Sequence, residues 1–411
     1  MKTVISFLLA VLLGIFLFVP AAAVQASPPG GEHAVKLVAN DGAIGDAFGS
    51  SVAVAGALAV VGAPQADVDG HPDQGAVYVF GRRGHHWRQL ARLVAPDSGN
   101  GAHFGTAVAL SHGRIVVGAP DAVVDGDSAR GAVYVFTRKR GHWSRSARLI
   151  ASDGMASHRF GFSLAAFGHR LLIGAPFANA GDRTFTQEGA AYVFKRHRHG
   201  WYQTAKLGVP AGDYNDRFGT AVALSRDKAL VGAIGVVNSA GRGYVFSRSG
   251  KSWTLSDVLS AGATSRNSLA GWAVALDRTT GLLSELREDS QSVMAAGVVF
   301  VYDARGAHLT GVQSIAASDP TSEAEFGASL SLSRKLLAVG APAAGHAYLF
   351  ARRHHNGWQQ VAEFPATGAS YGFGSAVSVS RHWLAVGNNH DVVDGMTDRG
   401  AVYLYFLRGI H

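Results

Sequence analysis

The sequence predicts an all-β chain folded as a seven-bladed β-propeller of four-stranded antiparallel blades, and three observations carry that prediction. A Phe-Gly pair, a Gly-Ala-Pro and a Gly-Ala-Val-Tyr-Val-Phe strand recur in this order, the recurrence has a spacing of 47 to 58 residues, and the two ends of the chain supply complementary parts of one repeat. A repeat of this size is one supersecondary unit that cannot bury both faces alone and must stack on its neighbours.

Met1-Lys2, the apolar run Val4 to Val19, Pro20 and the small residues through Ala26 read as a signal peptide over residues 1–26, with a mature chain starting at Ser27. The run is shorter than a bilayer span and no later segment is long and apolar enough to cross one. The expectation is an exported protein, periplasmic, on the outer surface or extracellular, with no transmembrane segment in the mature chain. The absence of cysteine excludes a lipid anchor, a disulfide framework and thiolate metal sites. Residues 27–411 read as one domain, because radial repetition lets a single fold grow around an axis. A composition of 52 glycines, 47% hydrophobic and 16% charged residues suits short strands and tight turns rather than disorder.

The repeats open at Phe48-Gly49, Phe104-Gly105, Phe160-Gly161, Phe218-Gly219, Phe326-Gly327 and Phe373-Gly374, with a worn copy at Ala270-Gly271. In the second repeat, Gly105 to Leu110 alternates small and larger residues, Ile115 to Pro120 is a buried run, Val133 to Phe136 alternates again, and Trp143 to Ile150 supplies a fourth strand. Small residues such as Ala107 and Ala109 suit the innermost strand, where blades converge. Trp87, Trp143, Trp201, Trp253 and Trp358 open the fourth strands and read as edge packing. The last repeat stops at Tyr403 to Leu407 without a fourth strand, and Ala34 to Val38 matches the missing one, so the N-terminal strand is expected to complete blade seven.

These residues resemble the FG-GAP repeat family, which includes the N-terminal propeller of integrin alpha subunits and many secreted bacterial proteins; the long stretches between motifs look most like the bacterial branch. The resemblance covers nearly all of the mature chain. It implies the propeller fold, and in the integrin-like branch calcium held by an Asp-x-Asp/Asn-x-Asp-Gly hairpin between the first two strands of a blade. This chain departs from that pattern: the corresponding turns include Ser111-His112-Gly113-Arg114, Phe167-Gly168-His169-Arg170 and Ser225-Arg226-Asp227-Lys228, which cannot cage a divalent cation. No cofactor is expected. A weaker alternative for calcium lies between strands two and three, at Asp67, Asp69 and Asp73, at Asp125 and Asp127, and at Asp391 and Asp394, where Asp and Gly equally serve as turn residues.

In a meander blade the first-to-second and third-to-fourth hairpins leave on one face, and the other connections leave on the opposite face. On the hairpin face fall Arg82, Arg83, Arg138, Lys139, Arg140, Lys195, Arg196, Arg198, Arg352 and Arg353, with few acids, chiefly Asp227, Asp277 and Asp303. The opposite face collects acids, among them Asp41, Asp97, Asp121 and Asp153. The net charge of +8 therefore predicts a disc polarised across its thickness, with the basic face as an anion-binding candidate; solvated, edge-protecting turns are the plain alternative. Exposed pairs His197 with His199 and His354 with His355 are weak metal candidates. The fifth repeat loses Gly-Ala-Pro, and Leu283 to Ser292 reads as an insertion carrying Glu285, Arg287, Glu288 and Asp289.

No nucleophile elbow, zinc-protease helix or phosphate loop is present. The expected function is a secreted or envelope-associated, non-catalytic binding or adhesion protein whose basic face meets an anionic polysaccharide, a lipid or extracellular DNA. A protein-interaction scaffold working through the loop face is the alternative, and a glycan-directed hydrolase or lyase a third.

Overall fold

The computed structural model describes residues 34–179, 186–209, 212–260, 267–353, 357–367 and 371–408. The predicted leader and the pair His354 and His355 lie outside the described residues. The chain forms seven four-stranded sheets, each a sequential antiparallel meander except the last, into which the N-terminal strand inserts. That strand, Val35–Leu37, lies against Ala401–Phe406, with Val35 opposite Leu404 and Leu37 opposite Val402. No helix among the described residues is long and apolar enough to cross a membrane; the one helical turn, Val236–Ser239, sits in a loop of blade 4.

Blade 2 shows why the sequence folds this way. Its inner strand, Ala107–Ser111, is half-exposed along its length, and small side chains fit the narrow space near the axis. The second strand, Arg114–Ala119, is buried from Ile115 onward, because a neighbouring blade covers each of its faces, and such a strand reads as an unbroken apolar run. The third, Ala132–Lys139, is buried until its charged tip, and the fourth, His142–Leu149, forms the largely exposed rim. The third-to-fourth pairing slips by one residue at Val135/Phe136, and the same bulge recurs at Val79/Phe80, Val193/Phe194, Val245/Phe246, Val301/Tyr302 and Leu349/Phe350. It adds twist to the rim strands.

The apolar core divides into seven clusters, one at each junction between adjacent blades. The motif phenylalanine is the centre of most of them. Phe104 is fully buried and meets Tyr134 and Phe136 edge-on at 5.6 and 6.0 Å, and Phe48, Phe160, Phe218 and Phe326 repeat the arrangement. The fourth-strand tryptophans pack at the same junctions, as expected: Trp87 meets Trp383 of blade 7 edge-on at 5.4 Å, and Trp358 is buried beside blade 5.

The glycine of Gly-Ala-Pro has a separate purpose. A β-carbon on Gly118 would stand 2.0 Å from the carbonyl oxygen of Gly161, the motif glycine of the next blade, and Gly62, Gly174, Gly232, Gly340 and Gly387 meet their neighbours in the same way. The two backbones touch, so no side chain fits between them. The residue before each Phe-Gly also adopts a left-handed conformation: Ala47, His103, Arg159, Arg217, Leu269 and Glu325 have φ between 52 and 58°. Hydrogen bonds to the preceding blade hold it there, as in Arg159 N to Ala129 O at 2.9 Å and Phe160 N to Arg130 O at 3.1 Å.

Candidate functional site

Both hairpins of a blade end on the same face and are tied together by backbone. The amides of Arg82, Arg196, Arg248 and Arg352, at the ends of third strands, donate to carbonyls of Ala57, His169, Asp227 and Lys335 in the first-to-second turns, each at 2.8 Å. Each such blade thus joins its two hairpin turns into one knuckle. The acids expected on this face are consumed locally: Asp227 pairs with Arg248 at 3.0 Å, Asp277 caps its own turn through Thr279 and Thr280, and Asp303 chelates Arg305, which holds its carboxyl down at about 2.

The sequence-derived anion candidates divide into two groups. Arg82 lies over the Trp383 ring at 5.1 Å and Arg352 donates to Thr279 and Thr280 of blade 5, so both seal blade junctions. Arg83, Arg138, Lys139, Arg140, Arg196, Arg198 and Arg353 are exposed and Lys195 is half-buried, and none of these forms an ion pair among the described residues. Across the junction of blades 2 and 3 like charges crowd together. His112 and His169 rings stand 5.3 Å apart, desolvation and Arg196 both lower the Arg114 guanidinium, and desolvation together with His112, Arg114 and Arg196 pulls His169 below the usual histidine range. Arg170 is lowered likewise, by desolvation and by Arg248 of blade 4.

The opposite face differs from its expected character. Several of its acids are paired with bases from the rim strands: Arg92 to Asp41 at 3.3 Å, Arg145 to Asp97 at 2.6 Å, Lys206 to Asp153 at 2.6 Å and Lys36 to Asp391 at 2.9 Å. Others, among them Asp69, Asp213 and Glu323, form no ion pair among the described residues. In the loops proposed as a calcium alternative, Asp69-Gly70, Asp125-Gly126 and Asp394-Gly395 occupy left-handed central positions of tight turns closed by Val68/His71, Val124/Asp127 and Val393/Met396. Asp67 accepts from the Asp73 amide, Arg130 binds Asp125 and Asp127, and Arg399 binds Asp394 at 2.7 Å. These loops do not bring three ligand atoms together; the group among the described residues that does lies on blade 6.

One feature of this face was not read from the sequence. At its inner rim His103, Asp121, Arg159, Phe177 and Arg217 form a continuous arc over blades 2 to 4. Asp121 binds His103 at 2.9 Å and Arg159 at 2.8 Å, and Arg159 and Arg217 stack over Phe177 at 5.0 and 5.5 Å. The Asp121 carboxylate, through its hydrogen bond, raises the His103 imidazole above its usual range. A hollow of about 250 Å³ opens beside the arc, lined by Ser157, Arg159, Phe177, Asn179 and Gln187 among others. The signal was available, since each residue precedes a Phe-Gly or follows a Gly-Ala-Pro, but those positions carry no motif of their own.

The fifth blade also requires a correction. Leu283–Ser292 is not an insertion throughout: Thr280–Glu285 is the second strand, in register with Val298–Asp303. Glu285 therefore occupies the place of the Gly-Ala-Pro alanine. It is fully buried, neither carboxylate oxygen has a well-formed hydrogen bond, and burial, reinforced by Glu288, pushes it up to about 8.

Comparison with known proteins agrees with this architecture. The chain matches the FG-GAP repeat family at residues 32–80, 87–136, 143–194 and 201–246. A chain in a solved structure titled "Crystal Structure of Mitotic Checkpoint Complex" superposes with a TM-score of 0.58 over 99% of this chain and 99% of its own, at 14% identity, a likeness of fold alone. No curated protein matches the sequence.

Proposed function

The chain belongs to the FG-GAP repeat proteins, and from that premise we propose that it is a non-catalytic binding protein, exported by its leader, whose hairpin face docks onto an anionic surface polymer. The observation that carries this reading is the crowding of unpaired bases across blades 2 and 3, where desolvation and the neighbouring bases lower the Arg114 guanidinium and the His169 imidazole. Like charges held together in a fixed scaffold are mutually destabilising, and an anionic ligand relieves that cost. Repetition around the ring would spread the same cationic knuckle over several blades and suit an extended polymer rather than a small ligand. The test is binding of the mature protein to a sulfated polysaccharide over a salt series. Wild type should lose affinity steeply as salt rises, and a variant carrying R138S, K139S and R140S should bind more weakly with a shallower salt dependence. Equal binding by both proteins refutes the basic-face reading.

A second reading has its own support. Ile44, Met155, Tyr214, Met294, Tyr371 and Val392 are exposed apolar side chains in the connections of the loop face. Apolar tips over a base in which several charges are already paired suit a protein partner. Its binding would persist at moderate salt and fail when these side chains are replaced by serine.

A further inference from the structure

We propose that Asp319, His346 and Glu363 form a binding site for a divalent transition metal of the zinc class on the loop-face rim of blade 6. One ligand atom of each lies within 4.8 Å of the other two. The donors are one imidazole and two carboxylates, a set that suits zinc, with further coordination positions open to water because Asp319 is exposed.

Comparison of the blades shows what is unusual here. In blades 1, 2 and 3 the tyrosine of the third strand lies opposite a base on the fourth: Tyr78 with Arg92, Tyr134 with Arg148, Tyr192 with Lys206. That base reaches an aspartate in the incoming connection, Asp41, Asp97 or Asp153, at 3.3, 3.8 and 2.6 Å. Blade 6 keeps the tyrosine and the aspartate, and the Tyr348 hydroxyl donates to Asp319 Oδ1 at 3.1 Å. Opposite Tyr348, however, stands Glu363 in place of the base. His346 occupies the register position of Ala76, Ala132 and Ala190. The cation that neutralises this position in blades 1, 2 and 3 has been replaced by a second carboxylate and an imidazole, and no lysine or arginine pairs with Asp319 or Glu363 among the described residues.

The hydrogen bonds orient these groups as ligands. His346 Nδ1 lies 2.8 Å from the Ala344 carbonyl, so Nδ1 carries the proton and Nε2 presents its lone pair. That lone pair faces Glu363 Oε1 at 3.2 Å. Two lone pairs so placed need a positive centre, either a second proton on the ring or an ion. Adjacent ligands of a tetrahedral zinc ion, at about 2.0 Å from the metal, are roughly 3.3 Å apart, which matches this spacing. The Ala344 carbonyl on the histidine and the Tyr348 hydroxyl on the aspartate are the outer partners that metal ligands characteristically have.

Titration of the full mature chain with zinc chloride, followed by calorimetry and thermal melting, tests the site, with cobalt(II) absorption as a spectroscopic probe. Wild type should bind one ion at this site, with a rise in melting temperature and a cobalt ligand-field band. Glu363→Lys recreates the arrangement of blade 3 and His346→Ala that of blades 1, 2, 3 and 7, so both should fold; each should lose the band and the zinc-dependent rise. Tyr348→Phe should weaken binding ~10-fold. Without metal, Glu363→Lys should melt higher than wild type, and saturating zinc should narrow or reverse that order. Absence of stoichiometric binding, or a band that survives unchanged in both ligand variants, overturns the proposal. A melting temperature that responds to pH but not to zinc would do the same, by showing that a proton fills the place of the ion.

Discussion

The imidazole rings of His112 and His169 stand 5.3 Å apart across the junction of blades 2 and 3, tilted by 38°, with Arg114 and Arg196 beside them. Because desolvation and these neighbours hold His169 below the usual histidine range, its ring is more readily neutral than a free imidazole and takes up its charge as pH falls below that range. Affinity for a sulfated polysaccharide should therefore rise as pH falls from 7 to 5, by more than a protein with only constant charges would show. His169→Ala should flatten that rise while leaving binding at pH 7.5 unchanged, measured by calorimetry at fixed ionic strength.

Arg82 and the exposed bases should separate in their effects. The Arg82 guanidinium covers Trp383, and such a contact is worth about 0.5–1 kcal/mol. Arg82→Ala should lower stability by that order in urea unfolding and change polyanion binding little. Lys139→Ser with Arg140→Ser should do the reverse.

Glu285 should make the protein less stable as pH rises. Its carboxyl is raised from 4.5 to about 8 in the fold, so the folded chain retains a proton that the unfolded chain has released. This contribution is fully present below about pH 4.5 and is lost as pH climbs through 8. Glu285→Ala, which restores the residue found at this place in blades 1 to 4 and 6, should raise the melting temperature by several degrees at pH 8 and much less at pH 5.

Glycine substitutions should differ by their surroundings. Gly118→Ala drives a β-carbon to 2.0 Å from the Gly161 carbonyl oxygen and should cost roughly 3 kcal/mol or more in urea unfolding. Gly113 has open space but a φ of 69°, so Gly113→Ala should cost only about 1 kcal/mol of backbone strain.

The blade was legible because its determinants are local. Apolar alternation, a turn proline and two glycines mark each strand within a few residues, and the match between Val35–Leu37 and the missing strand needed only pattern recognition. Charge was legible only by position along the chain. That Arg148 reaches back to Asp97, or Lys206 to Asp153, depends on a rim strand running beside the connection that enters its blade, which no linear spacing announces. The same holds for the arc through Asp121 and Phe177, whose members become neighbours only when the ring closes. In blade 5 the loss of Gly-Ala-Pro removed the marker of register, so a strand ending in Glu285 read as an insertion.

Closure of blade 7 sets a timetable for the molecule. Val35 is among the first described residues to be synthesised and Leu404 among the last, yet the two are partners in one sheet. The seam between blades 7 and 1, where Trp87 meets Trp383, is complete only once that pairing has formed, because Leu37 and Leu404 belong to its core. A ribosome-bound chain can therefore stack blades in an open arc but cannot lock it. The joint between the first and last strands acts as a checkpoint on completeness, withholding the ring from any chain that has not been made through its final strand.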